Sequence, residues 1–233
     1  VDPNGQLYKI NSFEFYRYED VIRLTTDPAY DQTAFEKHLE IKGDSDHSKL
    51  IKMLDVLNDE SSSMDDELFV TYFDKENIAY WMAFQLLTGN TDTQNRNVYL
   101  YSPQNSSKWY LWDWDNDGML RRREREIINF SDSESWERGV SNYWGNVLFR
   151  RCLQTQSYRD LLDTAMKELY AYMNEERIQS MMEHYRSVTE KYVWQMPDRM
   201  NVPITHDEYE EVLKSIWPEI DENYNYYWES YRK

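Results

Sequence analysis

The stretch from Gly89 to Glu124 concentrates residues that bind metal ions through oxygen atoms. It contains Asp92, Asn97, Asp113 and Asp115. Carboxylate and amide oxygens are the ligands that hard divalent cations such as Ca²⁺ and Mg²⁺ prefer. Two kinds of metal site compete for these residues, a calcium loop and the magnesium site of a phosphotransferase, and they predict different proteins.

The calcium hypothesis follows from spacing alone. Asp113, Asp115 and Asp117 are followed by Gly118, and Glu124 stands at the twelfth position, where an EF-hand loop places its bidentate carboxylate. The pattern D-x-[DN]-x-[DN]-G-x5-E is matched completely. A calcium site here would favour a non-catalytic surface, structural or adhesion module.

The residues that precede Asp113 argue against a calcium loop. An EF-hand loop needs an amphipathic helix on each side. Here two runs rich in β-forming residues, Val98–Tyr101 and Trp109–Trp112, are separated by a polar turn, which predicts a β-hairpin whose second strand leads into Asp113. The sequence contains no second loop of this kind, although EF-hands usually occur in pairs. The calcium pattern is therefore best explained as a coincidence of sequence.

The phosphotransferase hypothesis uses the hairpin together with the loop before it. Asp92 and Asn97 have the D-x-x-x-x-N spacing of a kinase catalytic loop, in which the aspartate accepts the proton of the substrate hydroxyl and the asparagine helps to hold a metal ion. The second strand delivers Asp113, with Asp115 close by, and a carboxylate there binds the magnesium that bridges the nucleotide phosphates. The spacing alone occurs often by chance, and the strand-borne aspartate makes the combination more specific.

Three segments that include these residues resemble the CotH kinase family, which is named for a bacterial spore coat protein. The segments run from Phe73 to Asp92, from Asn97 to Tyr101 and from Lys108 to Asp115. The opening G-Q-L-Y-K sequence, Gly5–Lys9, is similar to the family's G-x-L-Y-K segment. The resemblance covers nearly the whole chain and is most specific over residues 73–118.

The resemblance implies an atypical protein kinase that transfers the γ-phosphate of ATP to serine residues of a secreted or coat protein, with Mg²⁺ or another divalent cation. It implies Asp92 as the catalytic aspartate and Asn97 as a metal or cofactor ligand. It implies Asp113 as the metal- and cofactor-binding aspartate, with Asp115 as the alternative or a second metal ligand. A location at the bacterial cell surface or outside the cell is also implied.

The fold implied by the resemblance is α+β and predominantly helical. It is similar to the C-terminal lobe of a protein kinase, with a central β-hairpin that carries the metal aspartate. Family members have a β-rich segment before G-x-L-Y-K that supplies the nucleotide-covering strands. We therefore expect residues 1–233 to form a single kinase-like domain that lacks most of this N-terminal lobe. Such a fragment would bind a metal but bind ATP poorly. An active protein serine kinase is the favoured expectation, and an incomplete, inactive fragment is the alternative.

The sequence departs from the family pattern at two positions within the most specific part. Leu111 stands where a proline usually precedes the W-D pair. Asn116 and Asp117 follow D-x-D, where an aromatic residue and glycine are usual. The register of the motif, and with it the choice between Asp113 and Asp115, therefore stays open.

The composition limits the classes of partner. A net charge of −17 disfavours nucleic acid and anionic membranes. It is compatible with a basic protein substrate, although a soluble acidic surface is the simpler explanation. The single cysteine, Cys152, excludes an intrachain disulfide framework and is expected to be buried in a helix. No apolar run is long enough to predict a membrane-spanning segment, and no signal peptide is recognisable.

The elements that must position these residues are expected to be mostly helices. Apolar residues recur at three- and four-residue steps over residues 65–87, which predicts a helix that ends near Gly89 and leads directly into the Asp92 loop. Asp74 is the expected N-cap within this region. Further helices are predicted over residues 142–154, 157–173, 174–196 and 206–232.

Two other groups of residues could bear chemistry. Arg121, Arg122 and Arg123, with Arg125, form a basic cluster that either contacts phosphate groups or is balanced by nearby glutamates in a solvated loop. The histidines show no paired spacing typical of metal ligands, so each is expected to be a surface or capping residue: His38, His47, His184 and His206.

Overall fold

The computed structural model describes residues 2–90, 92–127 and 140–231. These residues form a mixed α/β structure that is mostly helical, as the sequence predicted. The chain divides into two compact units. The first contains Val1–Ala83, Asp92–Asp117 and Ser141–Ala165, and the second contains Phe84–Thr91, Gly118–Val140 and Met166–Lys233.

A four-stranded antiparallel sheet forms the β part of the first unit. Its strands are β1 (Gln6–Ile10), β2 (Leu39–Ile41), β3 (Val98–Ser102) and β4 (Tyr110–Asp113), in the spatial order β2-β1-β3-β4. Side chains alternate across each strand, as the pleat requires. Tyr8 and Ile10 of β1 are buried, and they lie opposite the buried Leu100 and Val98 of β3.

Helical structure is present in each of the five predicted ranges, but three further helices in the described part of the chain were not predicted: Gln32–Glu36, Ser48–Asn58 and Arg122–Ile127. The helix predicted over residues 142–154 is divided at Asn146, whose extended backbone separates a 3₁₀ segment from an α-helix. The α-helices are α1 (Gln32–Glu36), α2 (Ser48–Asn58), α3 (Lys75–Thr88), α4 (Arg122–Ile127), α5 (Val147–Gln154), α6 (Gln156–Tyr172), α7 (Glu175–Val193) and α8 (His206–Tyr226). Within the described residues, further segments are 3₁₀- or π-helical: Met64–Tyr72, Asn116–Gly118, Val140–Gly145, Asp198–Asn201 and Tyr227–Tyr231. The predicted last helix extended to Arg232, which lies outside the described residues. No helix in the described ranges is both long and apolar enough to cross a membrane.

The helix predicted over residues 65–87 is interrupted, which corrects that prediction. Met64–Tyr72 is a π-helix, Phe73 has an extended backbone that bridges Trp109, and α3 begins at Lys75. Asp74 caps α3 as expected, because its carboxylate accepts a hydrogen bond of 2.8 Å from the Asn77 backbone N–H. The break was not predicted from the apolar periodicity, because buried apolar residues occur both before and after Phe73.

Aromatic side chains fill much of the core of the first unit. Trp81 of α3 stacks on Phe149 of α5, with ring centroids 5.2 Å apart, and Tyr143 meets Phe149 edge-on at the same distance. Cys152 is buried in α5, as predicted, and burial raises the pKa of its thiol. Large rings compensate for the low aliphatic content because each removes a large apolar area from water.

His47 is neither a surface residue nor a side-chain cap, which corrects the prediction made for it. The residue precedes α2 without capping it, and its imidazole is fully buried. Its ring nitrogens lie 2.9 Å from the Tyr8 hydroxyl and 3.2 Å from the Tyr30 hydroxyl, and Phe35 stacks on the ring at 4.1 Å. Sequence spacing could not reveal this, because the partners come from three other segments.

The second unit is helical, and α7 and α8 contribute its longest elements. Thr205 begins α8 with a complete capping box formed with Glu208. The rings of Tyr170 and Tyr224 stack with centroids 3.9 Å apart. Asn223 of α8 is buried and donates a hydrogen bond of 3.0 Å to the Leu87 carbonyl.

Candidate active site

The loop before β3 brings Asp92 and Asn97 into direct contact. Asn97 Nδ2 donates a hydrogen bond of 2.7 Å to Asp92 Oδ2, and Arg96 Nε donates one of 2.5 Å to Asp92 Oδ1. The Asp92 side chain is 27% exposed. Asn97 adopts a left-handed backbone conformation, with φ of 55°, which asparagine tolerates better than most residues. The hydrogen bond joins the two ends of the loop and places the Asp92 carboxylate next to the Asn97 amide.

The register of β3 and β4 brings Asp113 to the same end of the sheet. The terminal pair of this ladder is Val98 opposite Asp113, and Asn97 directly precedes Val98. Directly opposite residues in antiparallel strands have Cα atoms about 4.5–5.5 Å apart. The Asp92–Asn97 loop and Asp113 therefore lie at the same end of the β3–β4 pair, and the Asp113 side chain is exposed there.

Asp115 occupies a different position from Asp113. It lies beyond the last residue of β4, is exposed, and has a φ of 56°. The preceding Trp114 is 43% exposed and packs edge-on against Tyr99, and Lys9 Nζ lies 5.4 Å from its ring centroid. Asp113 therefore belongs to the strand, whereas Asp115 lies in a left-handed backbone conformation outside it.

Tyr143 lies buried beside the loop and β4. Burial raises the pKa of its phenol, and the negative charge of Asp113 raises that pKa further, whereas the neighbouring Thr93 side chain lowers it. Thr93 belongs to the loop and Asp113 ends the strand, so both elements lie close to one buried ring. Tyr143 is a core residue that also supports the candidate site.

Glu14 and Asn146 fix the loop from outside it. Glu14 accepts hydrogen bonds of 2.6 Å from Asn95 Nδ2 and of 2.6 Å from the Tyr18 hydroxyl. Burial acts to raise the pKa of Glu14, but the hydrogen bonds from Tyr18 and Asn95 outweigh it and the pKa is lowered. Asn146 Nδ2 donates a hydrogen bond of 2.9 Å to the Gln94 carbonyl. These supports were not recognised in the sequence, because neither contact has a local sequence signal.

Asn77 anchors β4 from the first turn of α3. Its Oδ1 accepts a hydrogen bond of 2.8 Å from the Leu111 N–H, and its Nδ2 donates one of 3.2 Å to the Leu111 carbonyl. The amide therefore satisfies both backbone groups of one strand residue. This explains why an asparagine occupies the third helical position, where a capping box would place glutamate.

The context of Asp113 contradicts an EF-hand. A β-strand, Tyr110–Asp113, precedes it instead of a helix, and a short 3₁₀ segment, Asn116–Gly118, follows. Glu124, which the calcium pattern placed at the twelfth position, lies in α4 and forms an ion pair of 2.9 Å with Arg121. The calcium-loop pattern is thus a sequence coincidence.

The arginine cluster at residues 121–123 is balanced by glutamates. In addition to the Arg121 pair, Arg122 pairs with Glu222, and Arg123 pairs with Glu126 at 3.1 Å and with Glu211 at 2.8 Å. The side chain of Arg125 lies outside the described part of the structure. For the three described arginines, these ion pairs favour the charge-balanced alternative over phosphate binding.

A group of three side chains that are potential metal ligands lies elsewhere, in the second unit. Ligand atoms of Glu190, His206 and Glu210 are within 4.8 Å of one another. His206 and Glu210 have the i,i+4 spacing that places two side chains on one helix face, a signal that the sequence contained. Arg186, however, donates hydrogen bonds to both Glu190 and Glu210. The group is therefore an ion-pair network that joins α7 to α8.

The polar oxygen atoms at and just beyond the end of β3–β4 are of the kind that Mg²⁺ prefers. Asn97, Asp113 and Asp115 offer amide and carboxylate oxygens, which are the ligands that this hard cation prefers. The site contains no cysteine or histidine among these residues. Asp92 adds a further negative charge at the same end of the strands.

The mixed α/β structure and the aspartate–asparagine loop before paired strands are features of kinase-like proteins. The family model described as CotH kinase protein matches residues 1–227, nearly the whole chain. The chain therefore belongs to the CotH kinase family, and the resemblance noted in its sequence is confirmed. A search of curated proteins found no significant match.

Proposed function

We propose that this chain is an atypical protein kinase domain that transfers the γ-phosphate of ATP to serine residues of a protein substrate. The observation that carries this proposal is the hydrogen bond of 2.7 Å between Asn97 and Asp92, at the end of the sheet where Val98 lies opposite Asp113. A base, an amide and a strand-borne carboxylate at one edge are the groups that phosphoryl transfer to a hydroxyl requires.

Asp92 is the residue that orients the serine hydroxyl and accepts its proton. Its carboxylate is partly exposed, so a substrate has access to it. Asn97 donates through Nδ2 to one carboxylate oxygen, which fixes the rotation of the carboxylate. Because the amide nitrogen is used in this way, Asn97 Oδ1 is the atom left to act as a metal ligand.

Asn97 and Asp113 would hold Mg²⁺, with Asp115 as the alternative or a second ligand. When bound, the ion would offset the negative charge that develops during phosphoryl transfer. Asp113 extends from a strand fixed by its ladder to β3 and by Asn77, so its carboxylate has a rigid support.

The substrate that we propose is a secreted or coat protein, and the location is the cell surface or the exterior. The family supports both, since it is related to the spore coat. A net charge of −17 favours an acceptor protein with basic residues around the target serine, because opposite charges speed encounter.

Transfer from ATP to a basic, serine-containing acceptor protein, followed by mass spectrometry, tests the proposal. Asp92→Asn should lower transfer by about 10²–10⁴-fold, the usual contribution of a general base. Asp20→Asn is the matched control, because the Asp20 side chain is fully exposed in the same unit. Undiminished transfer by Asp92→Asn, or transfer that no variant affects, would contradict the assignment.

A further inference from the structure

A pocket of about 670 Å³ lies in the first unit, and none of its lining residues belongs to the candidate active site. The buried part of its wall includes Leu57, Met64 and Val147. Its more accessible wall includes Arg150 and other polar residues. A volume of this size is in the range of pockets that bind organic ligands.

Arg150 brings an uncompensated positive charge to this pocket. Arg150 is half-buried, and no carboxylate or carbonyl in the described parts of the chain accepts a hydrogen bond from it. A guanidinium has five N–H donors in a planar fork that matches phosphate and carboxylate oxygens. A half-buried fork without an acceptor therefore favours an anionic ligand.

The neighbouring Arg151 adds a second positive charge. It donates hydrogen bonds to the carbonyls of Leu57 at 2.6 Å and Asp59 at 3.1 Å, and to Ser62 Oγ at 3.0 Å. These acceptors are neutral, so they satisfy the N–H donors of Arg151 without neutralising its positive charge. Burial lowers the pKa of Arg151 and the charge of Arg150 acts in the same direction, whereas the nearby charges of Asp59 and Glu60 raise it.

The charge of the lining is opposite to that of the whole chain. Two arginines and a single carboxylate, that of Glu60, line the pocket, whereas the chain has a net charge of −17. Gln154 adds an exposed amide, which can pair with a peptide backbone. The pocket is thus a locally cationic recess in an acidic protein.

We propose that this pocket binds a phosphorylated serine side chain of a peptide. A phosphate carries about −1.5 to −2 charges at neutral pH and so gains more from two guanidinium groups than a carboxylate does. The pocket is much larger than an inorganic phosphate, and its buried apolar residues suit the carbon atoms of a peptide. The inference that the pocket binds an anion rests on the pocket residues alone. The choice of phosphoserine as that anion also rests on the proposed function.

Fluorescence anisotropy with a labelled phosphoserine peptide and its unphosphorylated counterpart tests the proposal. The chain should bind the phosphorylated peptide at least about tenfold more tightly, which is the size expected for charge-assisted hydrogen bonds. Arg150→Gln should remove most of that preference, and Glu60→Gln should tighten binding because it removes the repelling carboxylate. Lys52→Gln is the control, since Lys52 is exposed in the same unit and does not line the pocket.

Three results would overturn the proposal. They are equal binding of the two peptides, an unchanged preference in Arg150→Gln, and competition by inorganic phosphate as strong as that by the phosphopeptide. If circular dichroism shows that Arg150→Gln is unfolded, the Glu60→Gln variant provides the test. An affinity of that variant for the phosphorylated peptide no higher than that of the unaltered chain would refute the site. Binding is measured without ATP or metal, and Asp92→Asn should bind like the unaltered chain. Failure of transfer and failure of this pocket are therefore distinguishable.

Discussion

The buried imidazole of His47 predicts a loss of stability in mild acid. Burial lowers the pKa of His47 to about 4, and the charges of Asp46 and Asp44 oppose this only in part. In the unfolded chain the same group titrates near its ordinary value of 6.5. Between these two values the unfolded chain binds a proton that the folded chain does not, so stability falls as the pH is lowered from about 6.5 to about 4.

The size of this effect follows from the difference between the two pKa values. A difference of one pKa unit corresponds to about 1.4 kcal/mol, so the whole window is about 3 kcal/mol. Roughly 2 kcal/mol of this lies between pH 7 and pH 5. That interval is the useful one, because the carboxylates whose pKa is lowered in the folded chain, Asp46 and Asp65 among them, lose their stabilising effect at lower pH.

Urea denaturation at pH 7 and pH 5 measures the free energy of unfolding at each end of the interval. The unaltered chain should lose about 2 kcal/mol more than the His47→Gln variant does. His184→Gln is the control, because His184 is exposed and its loss should leave the pH dependence unchanged. A histidine titration by nuclear magnetic resonance gives the folded pKa directly. A midpoint for His47 at 6 or above, or equal pH dependence in His47→Gln, would refute the reasoning.

Three further outcomes are expected. Glu14→Ala should lower the kcat of transfer with little change in KM, because it removes the acceptor that holds Asn95 while leaving Asp92, Asn97 and Asp113 in place; a change in KM alone would contradict this. Asp74→Ala should lower the free energy of unfolding by about 1 kcal/mol through loss of the α3 cap, whereas removing the exposed Asp20 should have no such effect. Cys152 should react with a thiol reagent only when the chain unfolds, since it is buried and its pKa is raised; rapid labelling of the folded chain would show otherwise.

The candidate site was predictable from sequence where its parts are local. Asp92 and Asn97 are five positions apart and meet within one loop, and the run before Asp113 was visible as a strand. The supports of the loop were not predictable, because Glu14 and Asn95 are separated by 81 positions and their contact has no periodic signal. Burial of His47 was missed for the same reason, since Tyr8 and Tyr30 reach it from other segments.

The fold accounts for a preference between the two candidate metal aspartates. Asp113 is the last residue of β4, opposite Val98, and Asn77 fixes the preceding strand through Leu111. Asp115 lies beyond this ladder in a left-handed conformation. Because a metal ligand must be held to within a fraction of an ångström, we propose Asp113 as the principal ligand. Calorimetric titration with Mg²⁺ and ATP should then be weakened more by Asp113→Asn than by Asp115→Asn, and the reverse order would transfer the role to Asp115.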